Sequence, residues 1–301
     1  MPLSNRPDFI PSITLLVSAS VWGLFWLPLR YVSDNGFAGA WSTVGYFFIS
    51  CLLLTPFIVL RWRKLRAGGV ALLLTGLFSG GAIALYILSF LFTSVTNALL
   101  IFYVTPVWST LLGRLCLGET ITGNRLFAVG LGLAGLWVIL GSEDGLPIPR
   151  NVGDVIALIA GIIWAYAAVR LNQSKAHAIE WVTMFMLCAF GVSVVCLILT
   201  PEIMQPPTRE SFAQSGFFLL CALAAVALPF NFAILWATNR LSPGRVGLLM
   251  LLEVVVGISV AAVVTDEAYG LPEAVGTALI LCAAVVDIVR TPDTASERGT
   301  Q

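Results

Sequence analysis

The stretch Val246–Thr265, VGLLMLLEVVVGISVAAVVT, decides the fold class of this chain. A run of this length, about 20 apolar residues, is enough to cross the hydrocarbon core of a bilayer as one helix. The run contains a single ionisable side chain, Glu253. Placing a carboxylate near the centre of such a helix costs roughly 2.5–3.5 kcal/mol on insertion scales. The stretch therefore predicts a membrane helix whose carboxylate needs an explanation.

The composition of the whole chain is typical of a membrane protein. Of its 301 residues, 58% are hydrophobic and 11% are charged, whereas soluble domains carry roughly 25% charged residues. The net charge of zero argues against a nucleic-acid partner. The cysteines lie in apolar stretches without metal-site spacing and are interpreted as packing residues; they are Cys51, Cys116, Cys188, Cys196, Cys221 and Cys282.

Uncharged runs separated by charged or Pro/Gly-rich segments predict ten membrane spans. The uncharged run 67–113 is too long for one crossing, and the polar sequence TSVTN at Thr93–Asn97 divides it into two. The predicted spans are 8–30, 37–60, 70–92, 97–117, 125–141, 152–170, 181–199, 214–238, 245–265 and 271–290.

Lysine and arginine are distributed unevenly between the two sides that ten spans define. An even number of spans places both termini on one side, and that side collects Arg6, Arg61, Arg63, Lys64, Arg66, Arg114, Arg125, Arg170, Lys175, Arg240, Arg245, Arg290 and Arg298. The other side keeps only Arg30, Arg150 and Arg209. Because an excess of Lys and Arg marks the cytoplasmic side, we expect both termini to lie in the cytoplasm.

Two segments at corresponding places in the chain indicate an internal duplication. Asn97–Glu119 aligns without gaps with Arg245–Glu267, and SVWGLFW around Trp22 has a counterpart in GIIWAYA around Trp164. The aligned pairs in the first match are Leu100/Leu248, Val107/Val255 and Glu119/Glu267. A duplicated unit of five spans inverts its second copy because five is odd, and inverted repeats are typical of secondary transporters.

These patterns predict an all-α integral membrane protein whose ten transmembrane helices form two inverted five-helix repeats. The expected units are residues 1–143, residues 151–291 and a cytoplasmic tail, 292–301. With LGE closing the fourth span and DE the ninth, the chain resembles the drug/metabolite transporter superfamily, and within it the EamA-type exporters. The resemblance implies an inner-membrane exporter of amino acids or related metabolites, with the branch that exports aromatic amino acids included. It also implies a pocket enclosed mainly by spans 1, 3, 4, 6, 8 and 9.

The chain departs from this family at one pair of positions. Members of the family commonly carry a Glu-Pro pair in the middle of spans 4 and 9. Here span 4 has Thr105-Pro106 and span 9 has Glu253-Val254. A coupling scheme with two carboxylates is therefore not expected, and Glu253 would act alone.

Glu253 is the first candidate site residue. It lies about 10–12 Å along its helix from the cytoplasmic end, at 1.5 Å per residue, so it must face a wet cavity or a partner. The functional interpretation is a carboxylate that exchanges a proton or binds a substrate ammonium. The alternative is a structural carboxylate held by a neighbouring helix, with Asn231 or Thr105 as donor.

Aromatic residues at similar depth supply the other candidates. Trp22 and Trp164 are repeat counterparts, and Tyr86 lies in the third span; such side chains offer a stacking face that can also hold an ammonium. Tyr103 and Trp108 are five residues apart, about 140° around a regular helix, so both are not expected at one site. Of the two, Trp108 is preferred. Lipid-facing aromatic residues are the alternative interpretation for all of them.

Two further groups of candidate site residues lie at predicted helix interruptions. Asn231 follows Pro229 in span 8, where a broken helix would expose backbone to a binding site. A structural kink capped by Asn231 is an equal alternative. Trp22, Trp26 and Arg30 share one stripe of span 1, and Arg30 is a candidate for a substrate carboxylate. Interfacial anchoring is the stronger interpretation of Trp26 and Arg30.

The predicted substrate-binding set is Trp22, Tyr86, Trp108, Trp164, Asn231 and Glu253. No catalytic residue, metal or cofactor is predicted, because one membrane glutamate and the lone histidine, His177, do not make an acid–base or metal-binding set. The expected function is alternating-access transport of a small molecule, with protons as a candidate coupling ion. A structural or partner-binding membrane subunit without transport remains the alternative.

Overall fold

The computed structural model describes residues 7–37, 39–140, 148–199, 206–213, 215–264 and 269–290. In these ranges the regular structure is helical, with no β-strand. Ten helical segments are long and apolar enough to cross a membrane, which confirms the predicted number. Spans 1 to 10 are Phe9–Asp34, Ala40–Leu60, Trp62–Ser89, Val95–Leu117, Gly123–Leu140, Val152–Gln173, Ala178–Leu199, Ser215–Arg240, Pro243–Val264 and Leu271–Val289.

Four of these spans are interrupted. Span 1 consists of the helices Phe9–Gly23 and Trp26–Asp34, span 4 of Val95–Phe102 and Thr105–Leu117, and span 9 of Pro243–Met250 and Leu252–Val264. Span 3 changes direction at Gly69, whose φ of 54° lies in the left-handed region that favours glycine. Its apolar part therefore begins at residue 70, where the sequence pattern predicts the start of the span.

The outer surface of the bundle is apolar. Large hydrophobic side chains such as Leu60, Leu199 and Val263 are more than 70% exposed. Polar side chains such as Ser50 and Ser89 are fully buried between helices. Ser50 and Ser89 donate their hydroxyl protons to backbone carbonyls one turn earlier in their own helices. This arrangement suits a lipid environment, where polar groups must be satisfied internally.

The contacts between spans reflect the duplication: the main pairs of packed spans have counterpart pairs when the two five-helix repeats are interchanged. Span 3 packs against spans 6 and 7, and its counterpart, span 8, packs against spans 1 and 2. Span 4 packs against span 6, as span 9 packs against span 1. Spans 2 and 7, 4 and 9, and 5 and 10 pack against their own counterparts. The fold is thus the predicted pair of inverted repeats, and the three counterpart pairs lie along the boundary between them.

Small residues let the repeats approach closely, as is usual between membrane helices. Gly135 in span 5 and Gly276 in span 10 face each other: a Cβ added to either would lie 2.6 Å from the carbonyl oxygen of the other. Gly23 in span 1 faces the backbone of Glu253 and Gly257 in span 9. A side chain at Gly23 or Gly135 would therefore force two helices apart.

The two ends of the bundle differ in charge. We call the end at which spans 2–3, 4–5, 6–7 and 8–9 connect the Arg-rich end, and the opposite end the Arg-poor end. At the Arg-rich end, Arg245 donates to Asp287 Oδ2 at 2.8 Å and to Asp8, and Arg125 Nε lies 3.1 Å from Asp287 Oδ1. Arg245 and Asp287 are fully buried. This buried ion cluster joins spans 1, 5, 9 and 10.

Some sequence predictions fall on residues that the structure does not describe. They concern Glu267, the closing residue of the second aligned segment, and the tail 292–301. The proposed unit boundaries at 143 and 291 also lie outside the described ranges.

Candidate functional site

The breaks in spans 4 and 9 occupy equivalent positions in the two repeats. The first lies at Tyr103–Val104 and the second at Leu251. Tyr103 and Leu251 are 148 residues apart, the same offset that aligns Asn97 with Arg245. The sequence duplication therefore coincides with a duplicated interruption of the helix near the middle of the protein.

The break in span 4 has an identifiable cause. Pro106 has no N–H, so it leaves the carbonyl of Phe102 without its usual helical donor. The hydroxyl of Thr105 donates to this carbonyl. The residue that the sequence analysis considered as a donor to Glu253 is therefore engaged within its own helix.

Span 9 breaks without a proline. Leu251 N–H donates to Leu248 and Val254 N–H to Leu251, which are i→i−3 bonds of a tightened turn. Glu253 lies in the first turn of the helix that follows this turn. The direction of the Glu253 side chain therefore depends on this tightened turn and cannot be read from the geometry of a continuous helix.

One hydrogen bond connects the two breaks. The hydroxyl of Tyr103 donates to Glu253 Oε2 at 2.5 Å. The other carboxylate oxygen, Oε1, accepts no hydrogen bond from the described residues. Neither Asn231 nor Thr105 is the donor, so the expected alternative partners of Glu253 are replaced by Tyr103.

Glu253 faces an internal cavity of about 50 Å³. Five of the six predicted site residues line it, namely Trp22, Tyr86, Trp164, Asn231 and Glu253, and Tyr103 joins them. The rest of the wall is aliphatic or aromatic, and no lysine or arginine is among the described lining residues. Spans 1, 3, 4, 6, 7, 8 and 9 contribute to this wall, which includes every span that the family resemblance implied.

The position of Tyr86 is fixed by ring contacts. Its ring stacks on that of Phe102 with the centroids 4.1 Å apart, and it meets the ring of Phe90 edge-on. The Tyr86 hydroxyl has no hydrogen-bond partner among the described residues. Tyr86 therefore offers an unused donor and acceptor at the cavity.

Asn231 is oriented by two hydrogen bonds. Its Nδ2 donates to the carbonyl of Ala227 at 2.9 Å and to the hydroxyl of Tyr46 at 3.0 Å. Because a backbone carbonyl can only accept, the amide orientation is determined. The Oδ1 of Asn231 is then the atom left without a partner in the described structure, and it is an acceptor.

Trp108 lies outside this cavity. It belongs to the second helix of span 4, it is half-buried, and its indole N–H is buried without a partner among the described residues. The angle between Tyr103 and Trp108 was predicted for a regular helix, but the break at Tyr103 lies between them. Tyr103 therefore lines the cavity, whereas Trp108, which the sequence analysis preferred, does not.

The other polar groups that the sequence singled out lie elsewhere. Trp26 and Arg30 line a second cavity at the Arg-poor end. His177 lies in the loop before span 7, where its backbone N–H donates to Glu180. Among the described residues, no three His, Cys, Asp or Glu side chains form a group that could hold a metal ion.

Comparison with known proteins identifies the family. The chain matches the model of the EamA-like transporter family twice, over residues 10–141 and 151–288. It is 27% identical over 294 residues to an uncharacterized transporter of Vibrio cholerae serotype O1 (strain ATCC 39315 / El Tor Inaba N16961), with 94% of this chain and 93% of that protein aligned. A solved crystal structure with 20% sequence identity shares the fold, with a TM-score of 0.70 over 94% of this chain and 96% of the other. The chain therefore belongs to the EamA-like transporter family, and it is a multi-pass membrane protein that transports small solutes.

Proposed function

We propose that this protein is a secondary transporter that exports amino acids or related amphipathic metabolites across the inner membrane by alternating access. It has no enzymatic activity in this proposal. The observation that carries the proposal is the carboxylate of Glu253, bound to Tyr103 and facing a cavity between two broken helices. Half-helices that meet near the midplane are the usual binding sites of transporters with inverted repeats.

The cavity is suited to a cationic group. Glu253 Oε1 and Asn231 Oδ1 are both acceptors without partners in the described structure. The indole rings of Trp22 and Trp164 supply faces that attract an ammonium. An amino acid ammonium, or a proton held on Glu253, would therefore complete the hydrogen bonding of this cavity, with an apolar or aromatic side chain against the remaining wall.

The size of the cavity supports alternating access. A volume of about 50 Å³ is far below the roughly 300–1,000 Å³ of small-molecule sites. A solute can enter only if the spans move apart. The repeats 1–143 and 151–291 are the units that would move relative to each other.

The orientation follows from charge. The Arg-rich end would lie in the cytoplasm, with both termini, because thirteen of the sixteen Lys and Arg residues are on that side. Transport from the Arg-rich to the Arg-poor end is then export.

The test is transport by the purified protein in liposomes. Counterflow of labelled amino acids, aromatic ones included, identifies the substrate, and flux under a pH gradient is compared with equilibrium exchange. If Glu253 carries the coupling proton, Glu253→Gln should abolish the response to the pH gradient and spare exchange. If it binds the ammonium, Glu253→Gln should weaken substrate binding by about 1.5–3 kcal/mol, the value of a charged hydrogen bond.

The matched control is Glu273→Gln. Glu273 lies in the first turn of span 10 and accepts the Gly270 N–H, a bond that an amide oxygen also accepts. It should transport like the unchanged protein. If Glu253→Gln also matched the unchanged protein in both assays, Glu253 would be structural. If no amino acid or related metabolite gave counterflow, the alternative of a structural or partner-binding membrane subunit would be favoured.

A further inference from the structure

A second and larger cavity lies at the Arg-poor end. Its volume is about 480 Å³, within the range of small-molecule sites. Spans 1, 2, 3 and 7 and the start of span 4 enclose it. Most of the wall is apolar, with Leu29, Leu88 and Phe90 as examples.

The polar groups in this cavity include three unused donors. The indole N–H of Trp26 and the hydroxyl of Ser193 are buried without hydrogen-bond partners among the described residues. Ser193 is only 4% exposed. The guanidinium of Arg30 also lacks an ion-pair or hydrogen-bond partner there. Buried polar groups are nearly always satisfied, so a missing acceptor is the simplest account of Trp26 and Ser193. Arg30, which is exposed, adds a positive charge to the same cavity.

The charge of this cavity is opposite to that of the Glu253 cavity. No Asp or Glu is among its described lining residues, and Arg30 is its charged group. The Glu253 cavity has a carboxylate and no Lys or Arg among its described lining residues. One cavity is thus suited to an anionic group and the other to a cationic group.

The two cavities are neighbours. Ile87 in span 3 lines both of them, and the adjacent residue, Tyr86, lines the Glu253 cavity. The two cavities therefore share part of a wall at Ile87.

We propose that the larger cavity is a second binding site, which receives the carboxylate of an amphipathic solute at Arg30, Trp26 and Ser193. The proposal rests on the proposed function, because the solute is the one that leaves Glu253. Arg30 lines the larger cavity and Glu253 lines the smaller one. One carbon joins the two charged groups of an amino acid, so the two sites are occupied in turn. Arg30 lies on the exit side.

The test uses ligand protection of Cys196, which lines the same cavity. The assay protein keeps Cys196 and carries alanine at Cys51, Cys116, Cys188, Cys221 and Cys282. Labelling of Cys196 by N-ethylmaleimide is followed by mass spectrometry. The probes are 3-phenylpropionate, which has a ring and a carboxylate, and phenethylamine, which has a ring and an ammonium. We expect 3-phenylpropionate to slow labelling and phenethylamine to have no effect at the same concentration.

Variants then assign the effect to Arg30. Arg30→Gln should raise the concentration of 3-phenylpropionate needed for half-protection by about tenfold or more, as expected for a lost charged hydrogen bond. Arg30→Lys should restore part of it. Arg209→Gln, which changes an arginine at the same end outside the cavity, is the matched control and should have no effect.

Three results would overturn the second site: no protection by 3-phenylpropionate, equal protection by both probes, or equal protection in Arg30→Gln and the unchanged protein. Labelling that responds to lipid composition and not to 3-phenylpropionate would mean that lipid fills the cavity, and would also overturn it. Because protection is measured without transport, it separates the two proposals. Protection without flux removes the proposed function alone, and flux without protection removes the second site alone.

Discussion

Thr105 and Glu253 occupy equivalent positions, 148 residues apart, in the first turns of the helices that follow the breaks in spans 4 and 9. Their side chains have different tasks. Thr105 satisfies the Phe102 carbonyl that Pro106 leaves free. Span 9 has Val254 instead of a proline, and the Val254 N–H donates to the Leu251 carbonyl. The side chain of Glu253 lines the cavity. The side chain after the break in span 4 thus satisfies the backbone, whereas the side chain after the break in span 9 is available to a solute in the cavity.

The bond between Tyr103 and Glu253 predicts a coupling between two substitutions. Tyr103→Phe leaves Glu253 without its donor and should lower the free energy of unfolding by about 1.5–3 kcal/mol. In a Glu253→Gln background the loss should be smaller, because a neutral amide forms a weaker bond. Thermal unfolding of the four proteins in detergent gives the coupling energy. An equal loss in both backgrounds would mean that the charge of Glu253 does not strengthen this bond.

The second prediction concerns orientation. A cysteine in place of Lys64, at the Arg-rich end, should react with an impermeant thiol reagent only from the cytoplasm. A cysteine in place of Arg209, at the Arg-poor end, should react only from the periplasm. Both residues are exposed, so access and not burial decides the labelling. Labelling of position 64 from intact cells would reverse the orientation and with it the assignment of export.

The third prediction separates the aromatic residues at the cavity from Trp108. Tyr86→Ala and Trp164→Ala remove walls of the Glu253 cavity, so they should lower substrate flux strongly in liposomes at normal expression. Trp108→Ala is made in parallel, because the sequence assigned it to the site and the structure places it outside the cavity. Full flux in Tyr86→Ala and Trp164→Ala would remove these residues from the site. A loss in Trp108→Ala comparable to theirs would support the sequence-based assignment.

The spans could be predicted from the sequence because the lengths of apolar runs and the positions of charges determine them. The kink at Gly69 even separates the charged start of span 3 from its membrane part. The depth of aromatic and polar residues was enough to bring five of six candidates to one cavity. The depth of a residue in the membrane does not determine which way its side chain faces around a broken helix, however. The sequence analysis therefore preferred Trp108 to Tyr103. Pro106 could have indicated that break, whereas span 9 has no comparable signal at Leu251.

The last prediction concerns the buried ion cluster at the Arg-rich end. Arg245 binds both Asp8 and Asp287, and all three are buried. Removing one partner of a buried pair leaves an uncompensated charge and costs about 3–5 kcal/mol. Arg245→Met leaves Asp8 buried without its partner and Asp287 paired with Arg125 alone, so it should lower the unfolding temperature sharply or prevent accumulation in the membrane.

The matched comparison is Arg61→Met. Arg61 pairs with Glu180 at 2.8 Å at the same end, but its side chain is 29% exposed. The remaining carboxylate, Glu180, is buried, but it keeps the His177 N–H as a donor and lies in the first turn of its helix. Arg61→Met should therefore cost less than Arg245→Met.

The double variant Arg245→Met with Asp8→Asn should recover part of the stability lost in Arg245→Met alone. The reason is that Asp8 is then neutral and Asp287 keeps its ion pair with Arg125. If Arg245→Met were as stable as Arg61→Met, the cluster would not hold spans 1, 9 and 10 together.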